Sequence, residues 1–446
     1  MRLRAAFAAL ILVLSTALPA SAADHRARAK AANSALAQFY DQNTGLYRTT
    51  NWWNAANALN AELDSDRLLG TSTGRAHAVT THAKHSPGGF LNDYYDDQGW
   101  WALTWINAYE LTRDGRYLNS ARSLFQDITG AWDNTCGGGV WWNRERRYKN
   151  AITNELFITI AAKLARVTSE AHYRDWALRG WNWFRSTGML NRGDLVNDGL
   201  DSACRNNSGA MWTYNQGVIL QALVELTAVT GDRGHLDVAH RIAGAATRML
   251  SVDQRVLLEP CEPSCGADGP QFKGIFARGL RDLHRADGRN SYRAFLASSA
   301  QSLWTTSRNS ANQIGLSWTG PFDTADAARQ SSAQDALNAA VAVSAPVAAP
   351  SPRAAAACAD RGSASSYGRT ATLWLCDNGF HGHLQGAQAG DQIYVSTDNL
   401  RYAVTTVSAD ATEANTPAGF WGRFRTCLRI GDRPQLTPAC TPHSTS

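Results

Sequence analysis

A cluster of carboxylate and aromatic side chains occupies residues 91–105, which read LNDYYDDQGWWALTW. It holds Asp93, Asp96 and Asp97, the carboxamide of Asn92, and five large aromatic residues. Two carboxyl groups can move the proton and stabilise the cationic transition state of glycosidic-bond cleavage, and flat aromatic rings stack on the apolar faces of sugars. The cluster therefore predicts carbohydrate chemistry, with Asp96 and Asp97 as catalytic residues. The alternative is that the two aspartates only cap a helix that begins near Asp97.

The adjacency of Asp96 and Asp97 indicates which glycosidase mechanism the pair would serve. Neighbouring side chains come close together when the pair straddles a loop-to-helix junction, but they diverge within a helix. Retaining glycosidases need carboxyl groups about 5–5.5 Å apart, whereas inverting ones need about 6.5–9.5 Å. Adjacency therefore favours retention, with one residue as nucleophile and the other as acid/base. Two carboxylates so close resist simultaneous ionisation, which raises the pKa of one of them.

The amino terminus has the three-part pattern of a secretory signal peptide over residues 1–22. Two arginines precede an apolar run over residues 5–18 and a small-residue segment that ends at Ala22. This pattern predicts cleavage after Ala22 or Ala23. The apolar run is shorter than the ~20 residues that a membrane span needs, and no later stretch reaches that length. We therefore expect a secreted, extracellular protein without a membrane span, and its 446 residues suggest two domains or one large one.

Charge and cysteine content exclude some classes of partner and cofactor. The net charge is +5, or +3 without the two arginines of the signal peptide, which is too weak to indicate nucleic-acid binding. Eight cysteines in an exported chain indicate disulfides rather than metal sites, so we expect neither a metal nor a cofactor. Cys261 and Cys265 are spaced for a local bridge, which leaves Cys136 to pair with Cys204. All three pairings stay open for the remaining cysteines: Cys358, Cys376, Cys427 and Cys440.

Helical periodicity extends over most of residues 24–343. Apolar residues recur at three- and four-residue intervals. This pattern predicts helices over residues 25–41, 97–111, 117–128, 151–166, 173–184, 215–229, 235–250, 272–284, 290–306 and 325–343. Four similar helix ends are marked by Leu111, Leu164, Leu226 and Leu283, which are 53, 62 and 57 residues apart. Such a period is typical of an array of helical hairpins, roughly six for a segment of this length.

Long polar loops precede the first helix of each predicted pair. They span residues 86–96, 135–150, 195–214, 251–271 and 318–323 and hold most of the unusual tryptophan, asparagine and aspartate residues. Loops at one end of a rigid scaffold commonly carry function. Because these loops recur at one end of the hairpins, we predict that the array closes into an all-α toroid.

The composition changes after residue 343. Residues 344–357 are rich in alanine and proline and are typical of a linker. Alternating, β-rich segments over residues 370–376, 392–397, 402–408 and 420–430 then predict a small, disulfide-stapled β domain over residues 358–446. A set of its aromatic residues forms either a binding face or simply a core, and the two interpretations are equally good: Trp374, Tyr394, Tyr402, Phe420 and Trp421.

Several longer segments carry further motifs: NDYYDDQGWWALTWINAYELT, CGGGVWWNRERRYKNAITNELF, VNDGLD, TYNQGVIL, a Cys-x3-Cys loop followed by Asp268, FKGIFARGL and SSAQDALNAA. Together, over about residues 33–343, they resemble glycoside hydrolase family 76, the endo-α-1,6-mannanases. The resemblance implies an (α/α)6 barrel over residues 24–343, endo-hydrolysis of an α-1,6-mannan backbone, and net retention. It implies Asp96 as nucleophile and Asp97 as acid/base. It also implies a sugar cleft lined by Asn92, Trp142, Asn150, Asn154, Asp198, Tyr214 and Lys273.

The leading prediction is therefore a secreted, retaining endo-α-1,6-mannanase that acts by double displacement on yeast-wall mannan or related bacterial polysaccharides. A transglycosidase acting on mannan or other glycan chains is the alternative within the same fold. A non-catalytic mannan-binding wall protein, in which the aspartates are only a helix cap, is the alternative from another class. The C-terminal β domain lies outside the resemblance, and a carbohydrate or cell-wall ligand is a possibility for it.

Overall fold

A computed structural model of the protein describes residues 21–287, 292–344, 358–376, 379–397, 400–409, 411–417, 420, 423–431 and 437–445. The predicted signal peptide up to residue 20, the predicted linker from residue 345, and Trp421 lie outside the described residues. The described part consists of a helix-rich region followed by a β-sheet region. In it, no helix is long and apolar enough to cross a membrane.

Twelve α-helices lie within the described residues. They are α1 Ala22–Ala37, α2 Trp52–Leu69, α3 Thr73–His85, α4 Tyr95–Thr112, α5 Gly115–Thr129, α6 Ala151–Thr168, α7 Ala171–Ser186, α8 Thr213–Thr230, α9 Gly234–Met249, α10 Phe272–Asp287, α11 Arg293–Thr306 and α12 Ala327–Val343. The ten helices that periodicity predicts are all present, with ends shifted by a few residues.

The helices pack in two layers. Six of them contact one another in a ring, in the order α2, α4, α6, α8, α10, α12 and back to α2. The others pack outside this ring: α3 on α2, α5 on α4, α7 on α6, α9 on α8, and α1 and α11 on α12. Helices α2 to α10 of the ring are each followed by an outer helix that reverses the direction of the chain. The N-terminal ends of the inner helices therefore meet at one face, where the long loops lie.

Helices α2 and α3 are missing from the sequence prediction. Nearly every residue of α2 is buried, including the polar residues Asn57, Asn60, Glu62 and Asp64. A helix buried on all sides has no apolar stripe, and buried polar residues hide its period further. The predicted first helix is also too long, because α1 ends at Ala37 and Tyr40–Asp41 forms a short strand instead.

Polar and backbone contacts hold the inner helices together. Arg281 of α10 donates to Asp64 of α2 at 2.7 Å, and both side chains are buried. Helices α8 and α10 approach through their backbones, since a Cβ atom at Gly279 would lie 2.1 Å from the carbonyl oxygen of Gly217. Any side chain there would force the two helices apart. The glycines of the TYNQGVIL and FKGIFARGL segments thus serve close packing.

Short strands occur in the helical region, and longer ones follow residue 357. The strands are β1 Tyr40–Asp41, β2 Leu46–Tyr47, β3 Ser251–Val252, β4 Val256–Leu257, β5 Cys358–Ser366, β6 Arg369–Cys376, β7 Gly379–Gln385, β8 Gln392–Thr397, β9 Leu400–Thr406, β10 Glu413–Asn415, β11 Arg423–Arg429, β12 Ala439–Cys440 and β13 Ser444–Thr445. One sheet has the order β10-β7-β6-β5, and a second has the order β12-β11-β8-β9-β3-β4 with β13 beside β11.

The second sheet joins the two regions. Strand β3, in the loop before α10, pairs in parallel with β9 of the tail, with Val252 opposite Val404. The backbone N–H of Arg401 donates to the carbonyl oxygen of Pro260 at 2.8 Å, and its guanidinium donates to that of Glu262 at 2.7 Å. The β region therefore packs directly on the loop that precedes α10.

The disulfides confirm the pairings expected in the helical region. Cys136 bonds to Cys204, and Cys261 bonds to Cys265. In the tail, where the sequence left three pairings open, Cys427 bonds to Cys440.

Three of these aromatic residues of the tail are buried, and one of the three also borders a cavity. Tyr402 and Phe420 are almost fully buried and pack against Phe424. They are core residues. Tyr394 also lines a cavity of about 630 Å³.

Candidate active site

Asp96 and Asp97 lie in the first turn of α4, which begins at Tyr95. The helix therefore starts two residues earlier than predicted, and the aspartates do not straddle its junction with the loop. Retention cannot be inferred from such a junction and rests instead on the family resemblance. The N-cap position is Tyr94, and it makes no side-chain cap hydrogen bond. One oxygen of Asp96 accepts the backbone N–H of Asp97 at 3.1 Å. The other contacts of the two carboxyl groups are made outside the helix.

Each aspartate has its own partner on a surrounding loop. The indole N–H of Trp142 donates to Oδ2 of Asp96 at 2.9 Å. The amide of Asn92 donates to Oδ2 of Asp97 at 2.5 Å. Since an indole N–H can only donate, the Trp142 contact orients Asp96 as an acceptor.

The surroundings of the pair raise the pKa of both carboxyl groups. Burial and, after it, the negative charge of Asp97 raise the pKa of Asp96 well above its usual value. Burial raises the pKa of Asp97 to about 6, with a further upward contribution from Asp268 that the Asn92 hydrogen bond opposes. The pair therefore retains a proton at a pH where an ordinary aspartate has lost it. One of them is then available as an acid and the other as a carboxylate.

Backbone contacts fix the two loops that supply these partners. The N–H of Tyr95 donates to the carbonyl oxygen of Trp142 at 2.9 Å, and the N–H of Arg144 donates to that of Asp93 at 2.9 Å. The rings of Tyr94 and Trp142 are 5.1 Å apart, and Tyr94 is one of the few exposed large aromatic residues among those described. The loop over residues 135–150 therefore forms a wall directly beside the aspartates.

A second wall carries Asp198 and Tyr214. The indole N–H of Trp212 donates to Asp198 at 3.1 Å, and the hydroxyl of Tyr148 donates to its other oxygen. Burial raises the pKa of Tyr214 well above its usual value, and the negative charges of Asp198 and Asp96 add to the rise. Both carboxylates therefore act on the same phenol, so Asp198 and Tyr214 lie near Asp96.

Aromatic rings pack against one another between these two loops. The ring of Tyr214 stacks on Phe272 with centroids 3.9 Å apart and planes 17° apart. Trp53 stacks on Trp100 at 5.7 Å, and its indole N–H donates to Asp268 at 2.8 Å. Trp53, Trp100 and Phe272 are buried, so these rings give packed support beside the carboxyl groups.

Three of the residues implied by the resemblance make structural contacts instead of lining the open cleft. Asn150 caps α6 by accepting the N–H of Thr153. The buried amide of Asn154 donates to the carbonyl oxygen of Val140 at 3.0 Å and accepts its N–H at 2.7 Å. The structure gives no support to a direct sugar contact for Asn150 or Asn154.

Lys273 is the third of these residues. It is fully buried, pairs with Glu262, and donates to the carbonyl oxygen of Leu316 at 2.7 Å. Its ammonium lies 4.6 Å from the ring centroid of Trp318. Lys273 therefore ties together the loops before α10 and α12, and its charge is directed into the protein.

Sequence reasoning missed two acidic residues that act on the site. Asp268 is exposed, bonds Asn51 and Trp53, and raises the pKa of Asp97. Its position three residues after the Cys-x3-Cys loop was the available signal. Glu155 of α6 is fully buried, and neither of its oxygens has a hydrogen-bond partner among the described residues. Burial, and then Asp198, raises its pKa well above the usual value.

Comparison with known proteins identifies the family. The profile described as Glycosyl hydrolase family 76 matches residues 24–354, which is most of the chain. The chain belongs to glycosyl hydrolase family 76. The resemblance drawn from the sequence motifs is thereby confirmed.

Curated family 76 relatives carry mannosidase names. A putative mannan endo-1,6-alpha-mannosidase of Schizosaccharomyces pombe is 30% identical over 285 residues, covering 56% of this chain and 63% of the relative. A mannan endo-1,6-alpha-mannosidase of Saccharomyces cerevisiae is 30% identical over 258 residues, covering 51% and 57%. The chain thus spans less than two thirds of the length of these relatives.

Solved structures of other proteins share the fold. The Lin0763 protein of Listeria innocua has a TM-score of 0.63 at 25% identity, covering 71% of this chain and 96% of that protein. The alpha-1,6-mannanase of Salegentibacter has a TM-score of 0.65 at 24% identity, covering 72% and 100%. An inactive variant of the latter, with two consecutive aspartates replaced by alanine, is solved in complex with alpha-1,6-mannotetrose.

Proposed function

We propose that this family 76 protein is a retaining endo-α-1,6-mannanase. The observation that carries the proposal is the pair Asp96 and Asp97, two adjacent carboxyl groups whose pKa values are both raised, chiefly by burial, at the face where the inner helices begin. Aromatic faces and further carboxylates beside them provide a cleft suited to sugar rings. The names of the curated relatives support mannan with α-1,6 linkages as the substrate.

The hydrogen bonds favour Asp96 as the nucleophile and Asp97 as the acid. Asp96 accepts an N–H on each oxygen, from Asp97 and from Trp142, and both donors oppose the rise in its pKa that burial and the charge of Asp97 cause. Asp97 accepts one from Asn92 on Oδ2, so its other oxygen is available to carry the proton. The N-terminal end of α4 also favours a carboxylate at this position.

The reaction proceeds in two displacements. The carboxylate of Asp96 attacks the anomeric carbon, while Asp97 donates its proton to the departing glycosidic oxygen; this forms a glycosyl ester on Asp96 and releases one chain end. Asp97, now a carboxylate, then takes a proton from a water molecule that attacks the anomeric carbon. The ester bond breaks, Asp96 is again a carboxylate, and the product keeps its anomeric configuration.

The helix contacts support a barrel as the architecture of the catalytic region. The closed sequence of contacts among the six inner helices supports an (α/α)6 barrel for residues 24–343, with the site at the face where their N-terminal ends meet. We place the small β domain at residues 358–446, after the linker, and propose secretion from the signal-peptide pattern of residues 1–22. The Salegentibacter mannanase, inactive after replacement of two consecutive aspartates, supports the same roles here by analogy.

Replacement of each aspartate tests the proposal. Linear α-1,6-mannan is incubated with wild-type protein and the Asp96→Asn and Asp97→Asn variants, and the products are sized over time. Loss of a general acid lowers turnover by about 10²–10⁴-fold, and loss of the nucleophile by at least as much. The matched control is Asp93→Asn, because Asp93 is exposed in the same segment and contacts its surroundings through its backbone oxygen.

The anomeric form of the first product tests retention. Proton NMR of early products distinguishes α from β reducing ends, and we expect α. An activated aryl α-1,6-mannobioside has a leaving group that needs little protonation. With this substrate, the Asp97→Asn variant should still form the glycosyl ester on Asp96, whereas the Asp96→Asn variant should form none. A wild-type protein that shortens no mannan, or an Asp96→Asn variant with near-normal turnover, would refute the assignment.

A further inference from the structure

A large cavity lies where the β region meets the helical region. It has a volume of about 630 Å³ and is lined by β8, β9, β11, the segment 437–440 and the loop before α10. We call it the junction pocket. Its walls carry Arg401, Arg425, Arg429, Tyr394, Ser396 and Glu262.

The charged groups of the junction pocket are mostly positive. Three of its lining residues are arginines, and Glu262 is its one lining carboxylate among the described residues. The carboxylate of Glu262 is already bonded to Lys273 and to the backbone N–H of Glu259. Its negative charge is therefore compensated from the protein side, and the arginines confer a net positive charge on the pocket.

Arg425 provides the observation that points to a ligand. Its Nε lies buried and has no hydrogen-bond partner among the described residues. A buried donor without an acceptor is costly unless a ligand or solvent supplies one. The planar guanidinium matches the two oxygens of a phosphate or carboxylate group.

An aromatic ring lies among these arginines. Tyr394 belongs to β8 and is nearly buried, and the guanidinium of Arg401 lies 5.8 Å from its ring centroid. The positive charges of Arg401, Arg429 and Arg425 all act on its phenol and oppose the rise in pKa that burial causes. The buried ring thus supports the arginines at the pocket wall and presents little of its own surface to a ligand.

The loop before α10 connects the junction pocket with the candidate active site. Glu262 lines the pocket, and Asp268, six residues later, bonds Trp53 and acts on Asp97. Six extended residues span at most about 20 Å. The disulfide between Cys261 and Cys265 shortens this path further. The pocket wall and Asp268 are therefore at most about 20 Å apart along this loop.

We propose that the junction pocket binds a phosphate or carboxylate group carried by a glycan, and that it thereby selects anionic polysaccharides for the cleft. Such a pocket would add substrate selection to the proposed function. The identity of the glycan in the cleft rests on that proposed function. The guanidinium of Arg425 pairs with the anionic group, and Arg401 and Arg429 add to the positive potential. The β region then selects the substrate. Its contacts to the catalytic region set the distance between the junction pocket and the cleft.

Direct binding to the full chain tests this without requiring hydrolysis. Calorimetric titrations use four probes: mannose 6-phosphate, glucuronic acid, neutral mannose and inorganic phosphate. We expect saturable binding of mannose 6-phosphate or glucuronic acid, undiminished by excess neutral mannose. The probe that binds identifies the anionic group as a phosphate or a carboxylate.

Variants assign the binding to the pocket. Arg425→Gln should weaken it at least about tenfold, because a charge-assisted hydrogen bond is lost, whereas Arg425→Lys should keep part of it. Arg361→Gln is the matched control, since it removes the same charge from an exposed position on β5. Melting temperatures of the variants report whether each one folds.

Three results would overturn the inference. They are the absence of saturable binding to either anionic sugar, equal binding by folded Arg425→Gln and wild type, and equal affinity for inorganic phosphate and the sugar phosphate. The last would indicate a site for bare anions. Each is independent of hydrolysis of neutral mannan, so failure of the pocket and failure of the proposed mannanase activity remain distinguishable.

Discussion

Replacing Asp268 should change the pH dependence of catalysis without changing the reacting groups. Its negative charge raises the pKa of Asp97, which lies at about 6. Asp97 acts as an acid only while protonated, so kcat/KM falls as the pH rises through this pKa. Asp268→Asn removes the charge and lowers the pKa of Asp97. The alkaline limb of the profile should therefore move to lower pH.

The size of this shift follows from the exposure of Asp268. An exposed charge acting on a half-buried carboxyl contributes roughly 0.5–1 kcal/mol. At about 1.36 kcal/mol per pH unit, the limb moves down by about 0.4–0.7 unit. The asparagine keeps an oxygen that can accept from Asn51 and Trp53, as Asp268 does. The geometry of the loop should therefore be preserved.

A second variant should move the same limb in the opposite direction. The amide of Asn92 donates to Asp97 and stabilises its carboxylate. Asn92→Ala removes this donor, so the pKa of Asp97 rises and activity extends to higher pH. A hydrogen bond to a charged group contributes about 1.5–3 kcal/mol, equivalent to about 1–2 pH units.

The assay is kcat/KM for α-1,6-mannan between pH 4 and pH 9 at low and at 1 M salt. Salt screens exposed charges more than hydrogen bonds, so the shift caused by Asp268→Asn should shrink at 1 M while that of Asn92→Ala persists. An alkaline limb that stays in place in both variants would refute Asp97 as the acid. Limbs that move in the same direction would refute the electrostatic reasoning.

Three further predictions concern stability, each measured by thermal or denaturant unfolding. Gly279→Ala places a methyl group against the backbone of α8 and should lower the free energy of unfolding by about 1–3 kcal/mol. Gly115→Ala is the control and should be neutral, because open space surrounds Gly115. Equal stability of the two variants would contradict the close packing of α8 and α10. Lys273→Met leaves Glu262 buried without its cation and should lower the free energy of unfolding by about 3–5 kcal/mol. Adding Glu262→Met should restore much of this stability. If the second change restores nothing, the ion pair does not account for the loss. Cys136→Ser breaks a disulfide with a sequence separation of 68 and should lower the free energy of unfolding by up to about 4 kcal/mol. A loss under 1 kcal/mol would argue against this disulfide as a restraint on the unfolded chain.

The sequence determined the features that depend on local pattern. Ten helices were predicted because each of them alternates apolar and polar residues along its surface. The loops before α4, α6, α8 and α10 were predicted because their composition departs from that period. The disulfides within the helical region followed from spacing and elimination. The aspartate pair was found because two carboxyls beside aromatic residues are unusual at any helix start.

Other features depend on partners that are remote in sequence. The polar residues of α2 are buried against other inner helices, so neither α2 nor the closure of the ring could be predicted from a periodic pattern. The sequence equally could not distinguish Lys273, which is buried against Glu262, from a cleft residue.

The positions of charged groups were decided by the tertiary structure alone. Asp268 is distant from Asp97 in sequence, yet it acts on the pKa of that residue. Arg401 and Arg425 share a cavity with Glu262 because a strand of the tail pairs with one that precedes α10. Residue type and spacing determine which chemistry a chain can perform. The burial and the charged neighbours that set each pKa arise only when distant segments pack together, because desolvation and Coulomb energy depend on distance in space and not along the chain.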